Sequence, residues 1–245
     1  MKKSQYDRIA KKYSRLVPPL KKYCVKPTLL KMCPNLKGKD VLDLACGSGY
    51  FTRLIKKNGA KKVVGIDKSK EQIKLAKKIE NKTNLGIKYI KRNVIEHSLG
   101  KLGNFDLITT TFLLHYSENK TKLFKMCKNA YSALKKKGKF VNILSNPEKP
   151  FYDGKKYGVT STGEKNPKEG NVRKVTFYKN GKPILSFNTY YWKKDTYEKA
   201  LKKAGFKNIE WVKATVSSKG KEKYKQGFWD KLLEGQFISG LKCEK

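Results

Sequence analysis

Arginine is scarce in this 245-residue chain. Of its 58 basic side chains only Arg8, Arg15, Arg53, Arg92 and Arg173 are arginine, leaving 53 lysines. A groove that reads phosphates or base edges draws on the two-pronged guanidinium, so the shortage argues against a dedicated nucleic-acid surface. Acidic residues are few as well, 20 in all, and the net charge is +38. A field of that size attracts polyanions non-specifically. Lysine scattered along nearly the whole chain nevertheless reads as compositional bias or supercharging rather than a binding patch. No apolar run nears the ~18 residues that a membrane helix needs. The opening MKKSQYDRIAKKYSRL lacks the apolar stretch of a secretory leader, and the expectation is a cytoplasmic protein with no membrane partner. The five cysteines are odd in number and form no C-x-x-C pair, and the only histidines are His97 and His115. Reduced thiols and no metal site follow.

Short apolar runs alternate with lysine-rich amphipathic stretches, the pattern of a parallel sheet covered by helices. Strands are expected at 40–46, 62–67, 87–94, 105–114 and 139–145. Helices are expected between them, one stopping at Gly59 and one running to Gly138. Residues 148–170 read as loop, and Asn180-Gly181 between β-rich runs as a hairpin turn. KDTYEKALKKAGF returns to helix, capped by Asp195 or Thr196 and stopped by Gly205. The fold class expected is α/β: a doubly wound, mostly parallel seven-stranded sheet with an N-terminal helical lid and a β-hairpin insertion. One domain is divided into a lid (1–35), a core (36–145), an insertion on the substrate side (146–192) and a C-terminal helix and strands completing the sheet (193–245).

The chemistry concentrates in VLDLACGSGYFT, residues 41–52. A dinucleotide turn needs a third glycine, and Thr52 stands where it would be. Asp43 would face a pyrophosphate with like charge, which disfavours NAD, but would attract an ammonium group while Gly47 and Gly49 accommodate a carboxylate or ribose. Asp67, closing the second strand 18 residues beyond Gly49, is placed to accept from two ribose hydroxyls. Together these residues point to S-adenosylmethionine.

VLDLACGSGYFT, VVGIDKS, IKYIKRNV and FDLITTTFLLHY resemble the successive motifs of class I S-adenosylmethionine-dependent methyltransferases over roughly residues 40–145. YDRIAKKYSRL, NILSNP, the aromatic hairpin and YYWKKDTYEKALKKAGF resemble the toxoflavin-synthase-type small-molecule enzymes within that class. The resemblance implies that Asp43, Cys46, Gly47 and Gly49 surround the methionine moiety, Asp67 and Lys68 the ribose, and Asn93 with Val94 the adenine. Asn93 departs from the commoner aspartate but can accept through its carbonyl. Thr110, Phe112 and Leu113 would lie beside the methyl group, and Tyr6 and Tyr13 would cover the cofactor as a lid.

Each role has a structural counterpart. Asp43 could cap a helix, Cys46 could simply pack, and Tyr6 and Tyr13 could be core. His115 could take a substrate proton, since an ordinary imidazole pKa suits a base near neutrality, or could be a packed strand-end histidine. Tyr190, Tyr191 and Trp192 could line a substrate pocket or fill the core, and His97 reads as exposed. Base-methylating enzymes carry an Asn/Asp-Pro-Pro-aromatic run after the fourth strand, where this chain has TTFLLHYS. Pyrimidine C5 chemistry needs a cysteine near the fourth or fifth strand, whereas Cys33-Pro34 precedes the glycine turn. The expected activity is methyl transfer to a nitrogen or oxygen of an anionic or aromatic small molecule. An RNA-directed methyltransferase and a non-catalytic cofactor-binding protein remain the alternatives.

Overall fold

The computed structural model describes residues 5–245, apart from the side chains of residues 5, 6, 8 and 9. Helix α1 (Gln5–Ser14) is followed by a π-turn at Lys21–Val25 that runs into α2 (Lys26–Met32). The core then alternates: β1 (Asp40–Leu44), α3 (Tyr50–Lys57), β2 (Lys62–Asp67), α4 (Lys70–Thr83), β3 (Lys88–Lys91), β4 (Phe105–Thr111), α5 (Lys120–Ser132) and β5 (Leu134–Ser145). Three strands follow, β6 (Val159–Thr162), β7 (Val172–Lys179) and β8 (Lys182–Tyr190). The chain closes with α6 (Lys194–Ala204), β9 (Lys207–Lys213), α7 (Ser218–Lys223), α8 (Asp230–Gly235) and β10 (Ile238–Glu244).

Seven strands form one sheet in the order β3-β2-β1-β4-β5-β10-β9. The first five are parallel, and β10 runs antiparallel between β5 and β9. Its central strands read as nearly continuous apolar runs because helices bury both faces. Alternate residues then serve opposite layers. Val41, Val63, Leu107 and Ile143 join α2 and α3 on one side, while Leu42, Val64, Ile108 and Leu144 join α5 and α6 on the other. The chain reverses direction across the sheet between β1 and β4, the crevice where open α/β sheets bind ligands.

The Asn180-Gly181 turn and the Gly205 stop fall where the sequence placed them, and two helices carry side-chain caps that it did not single out. Ser69 caps α4, accepting from Gln72 N, and Asn119 caps α5, accepting from Lys122 N. Asn180 (φ +51) and Gly181 (φ +75) make the left-handed pair that a two-residue hairpin requires, and Gly205 (φ +108) ends α6.

Three expectations need correction. The helix expected to run to Gly138 ends at Ser132, and β5 begins at Leu134. Lys135, Lys136 and Lys137 can be solvated in either conformation; the backbone pairing decides, with Lys137 N donating to Lys245 O and Lys245 N to Gly138 O, both at 3.0 Å. The loop at 148–170 contains β6, which pairs with β7 in a separate three-stranded sheet. Beside it Tyr157 is fully buried, its ring 5.4 Å from that of Trp229 and nearly parallel to it. Helix α6 starts after Lys193 with no side-chain cap, so neither Asp195 nor Thr196 serves as one.

Candidate active site

At the carboxyl ends of β1, β2 and β4 lies a cavity of about 360 Å³, within the usual range for a small-ligand site. Its floor is the glycine turn. Ala45 (φ +53), Gly47 (φ +56) and Gly49 (φ +84) all adopt left-handed backbone. At Gly49 a side chain is excluded twice over, because a Cβ there would come within 2.3 Å of the Tyr89 hydroxyl.

Asp67 lines the cavity from the end of β2. Two backbone amides hold its carboxylate, Gly47 N at 2.9 Å and Ser69 N at 2.8 Å. Each oxygen keeps a lone pair for a ligand. Burial raises its pKa against these bonds. Gln72 borders the same space; it is 1% exposed, and neither its Oε1 nor its Nε2 has a partner. A buried amide with all its bonds unmade is costly, and a polar ligand over Gly47 would satisfy it. Cys46, Lys68, Asn93 and Val94 also border the cavity. The Asn93 carbonyl oxygen already accepts from Ile95 N at 3.0 Å, which leaves it one lone pair. Helix α1 closes this end: Asp7 accepts from Ser69 Oγ at 2.6 Å and from Glu71 N at 3.3 Å. Tyr13 lines the cavity from α1, with burial pushing its hydroxyl pKa up to about 12.

The other end is aromatic. Phe112, His115, Tyr116, Tyr152, Phe177 and Phe187 face it, and β7 and β8 roof it. Phe112 is left-handed (φ +62), its amide donating to Ile143 O at 2.7 Å. A bulky residue in that conformation stores strain, a feature that clusters at functional sites. His115 is 3% exposed and its Nδ1 has no partner. Burial, reinforced by the nearby Arg173 charge, holds its pKa well below 6.5. The ring is therefore neutral and a poor base, correcting the expectation of an ordinary imidazole pKa.

Other sequence expectations fall outside the cavity. Asp43 lies behind the glycine turn, 2% exposed; its carboxylate accepts from Thr52 Oγ1 at 2.6 Å and Thr109 Oγ1 at 3.1 Å. Thr110 turns into the sheet and donates to Leu44 O at 2.9 Å. Gly49 starts α3 and does not border the space. Tyr190 and Tyr191 are not among the lining residues; Tyr190 packs toward the α5–α6 layer, and the Tyr191 backbone pairs with Gly170 and Asn171. Tyr6 lies in α1, but its side chain is outside the described residues. His97 is exposed, as expected. Among the described residues no cluster of His, Cys, Asp or Glu could hold a metal.

Sequence reasoning missed Gln72, Tyr152, Phe177 and Phe187. The spacing Ser69-x-x-Gln72 has the form of a capping box, but Ser69 N donates to Asp67 instead and the Gln72 amide is left beside Gly47, a position that the spacing hides. The aromatic residues come from strands whose facing depends on the second sheet.

Residues 41–138 match a family model described as a methyltransferase domain. A putative protein N5-glutamine methyltransferase of Methanocaldococcus jannaschii is 38% identical over 80 residues, 33% of this chain and 39% of that protein. A ubiquinone biosynthesis O-methyltransferase of Vibrio parahaemolyticus is 29% identical over 99 residues, 40% of this chain and 42% of that one. The match thus spans about two fifths of these relatives' length. Among solved structures, an S-adenosylmethionine-dependent methyltransferase from Clostridium acetobutylicum has the same fold, with TM-score 0.64 at 20% identity, over 98% of this chain and 95% of that one. Over residues 41–138 the chain matches a methyltransferase domain, and along nearly its whole length it shares the fold of that solved structure.

Proposed function

We propose that this chain transfers a methyl group from S-adenosylmethionine to a nitrogen or oxygen of a small-molecule acceptor, in the cytoplasm. One observation carries the reading: a single cavity runs from the glycine turn, Asp67 and Gln72 to an aromatic chamber beneath the roof formed by β7 and β8. The roof favours a small acceptor over a polymer. The wider resemblance to toxoflavin-synthase-type enzymes agrees with it. On this reading 1–35 acts as lid, 36–145 as core, 146–192 as acceptor-side insertion, and 193–245 completes the sheet.

The chain's residues fit the cofactor. Asp67 would accept from vicinal ribose hydroxyls, Lys68 would lie at the ribose edge, and the unpartnered Gln72 amide and the Gly47 backbone would meet the polar end. Cys46 would pack there, Asn93 and Val94 would border the adenine, and Tyr13 would cover it. Bound, the cofactor supplies a methyl group on a positively charged sulfur, already activated for in-line displacement. The protein's task is then alignment. Positioning alone can contribute about 7 to 11 kcal/mol, so for an acceptor that is a neutral amine, which gives up its proton to solvent after transfer, or an acidic group already ionised, a neutral His115 would orient the acceptor without serving as base, and Phe112 would flank the transfer.

The test is calorimetric titration of S-adenosylmethionine, S-adenosylhomocysteine and NAD at salt high enough to suppress non-specific binding. Saturable binding of the first two without NAD is expected. Asp67→Asn should weaken that binding by about tenfold or more, the equivalent of one or two charge-assisted hydrogen bonds. His115→Asn should leave it within about threefold. Equal losses in the two variants would remove the ribose role of Asp67, and NAD binding alone would remove the methyltransferase reading.

A further inference from the structure

Lys21 has no role in the reading so far, yet it is set into the wall of the cavity. It opens the π-turn at Lys21–Val25, a helical form that is frequent at functional sites. Four residues that line the cavity surround its ammonium. Nζ donates to Leu16 O at 3.3 Å and stands 4.3 Å from the ring centroid of Tyr50, 5.8 Å from that of Phe51 and 5.9 Å from that of Tyr13.

An ammonium carries three donors, and the one bond it makes, to Leu16 O, is longer than an ordinary N–H···O contact. Among the described residues no carboxylate pairs with Lys21. Burial, with the like charge of Arg53 added, lowers its pKa to about 8, so the group is still largely charged at neutral pH. Aromatic faces attract that charge but leave two donors unmet. The sequence suggested a site for an ammonium group beside Asp43. Thr52 and Thr109 instead hold Asp43 behind the turn, and the charge standing in the cavity wall beside Tyr50 has the opposite sign.

We propose that Lys21 receives a ligand carboxylate inside the cavity, carried either by the amino-acid end of the cofactor or by the methyl acceptor. The proposal rests on the methyl-transfer reading above and deepens it. Lys21 stands between the two ends of the cavity. On one side Tyr50 directly follows the glycine turn, whose backbone would meet the polar end of the cofactor. On the other the Tyr13 ring meets Phe177 at 5.8 Å and Phe187 at 6.2 Å, in the aromatic end. A carboxylate has two oxygens for the two remaining donors and supplies the missing counter-charge.

The experiment titrates two pairs of ligands calorimetrically into the full chain in high salt. S-adenosylhomocysteine is compared with its decarboxylated amine; then, on protein saturated with S-adenosylhomocysteine, 4-hydroxybenzoate is compared with 4-hydroxybenzamide. In at least one pair the carboxylate should bind about tenfold or more tightly than its partner. Lys21→Met keeps the aliphatic stem and should bring that ratio within about twofold by weakening the carboxylate alone. Lys21→Gln should do the same, and Lys21→Arg should keep part of the preference. The pair whose ratio collapses names the source, cofactor for the first and acceptor for the second. The variants lose one charge or none from a chain of +38, so a preference that survives Lys21→Met and Lys21→Gln belongs to the general field and overturns the proposal. Equal weakening of both members of a pair makes Lys21 a packing residue and overturns it as well. So does wild-type protein that prefers the carboxylate in neither pair, a result requiring no variant to fold. Wild-type protein that binds neither S-adenosylmethionine nor S-adenosylhomocysteine would instead remove the underlying methyl-transfer reading.

Discussion

Asp43 sits behind the glycine turn, where burial lifts its pKa from 3.8 to about 7 against the pull of two threonine hydroxyls. The folded state therefore holds this proton more tightly than the unfolded chain does. Its contribution to stability is complete below about pH 4 and declines as pH rises toward 7. His115, with its pKa lowered, works in the opposite sense, losing stability as pH falls below about 6.5. The two are separated by comparing wild type with Asp43→Asn in urea: the advantage of the variant should grow between about pH 4 and pH 7 and then level off. Thr52→Val removes the donor to Asp43 Oδ2 without changing the shape of the side chain. It should cost about 1 to 3 kcal/mol, and more at pH 8 than at pH 5, because the acceptor left behind is then charged. The sequence revealed Asp43 and Asp67 as a pair of carboxylates bracketing the turn. It could not reveal that Thr52 and Thr109 occupy both oxygens of one of them, because Thr109 arrives from a strand 66 residues away.

Among elements, the glycine turn gives the sharpest contrast. Gly38 and Gly49 are both left-handed, at φ +75 and +84, but a Cβ at Gly38 meets nothing within 4 Å, whereas at Gly49 it meets Tyr89 and Arg53. Gly38→Ala should thus cost only the conformational term, about 1 to 2 kcal/mol, and leave cofactor affinity intact. Gly49→Ala should cost more in thermal denaturation and weaken S-adenosylmethionine binding as the turn shifts to relieve the clash. Elements governed by local chemistry were legible from the residues. The second strand falls at 62–67 as expected, and the Asn180-Gly181 turn joins β7 to β8. Elements governed by distant partners were not. β6 is short, carries two threonines and a serine, and exists because β7 offers it an edge. Tyr190 and Tyr191 have the composition of a pocket wall, but the end of β8 turns away from the cavity, and Trp192 anchors it by donating Nε1–H to Ser117 O at 3.0 Å.

For the whole molecule, charge dominates. Thirty-eight uncompensated positive charges repel one another in the compact state, and salt screens them over about 10 Å at 0.1 M. The melting temperature should therefore rise between low salt and about 0.5 M NaCl, the reverse of a protein held by surface ion pairs. Binding to a mixed-sequence RNA should weaken steeply over the same range; affinity that persists for one RNA structure at high salt would favour the RNA-directed alternative. The α/β class, the sheet and the crevice followed from the alternating pattern. The aromatic end of the cavity did not, because it forms only where the roof of β7 and β8 meets the core.

The antiparallel strand β10 pairs with β5 along seven register positions from Ile238↔Ser145 to Glu244↔Lys139. During synthesis, β5 leaves the ribosome long before this partner exists. At about 5 to 20 residues per second, the intervening stretch takes on the order of ten seconds to translate. Throughout that interval the hydrophobic edge Phe140-Val141-Asn142-Ile143-Leu144 is open to any other strand. A chain stalled before residue 238 should therefore bind a holding chaperone more strongly than the full-length chain, a difference that pull-down of the stalled complexes would measure.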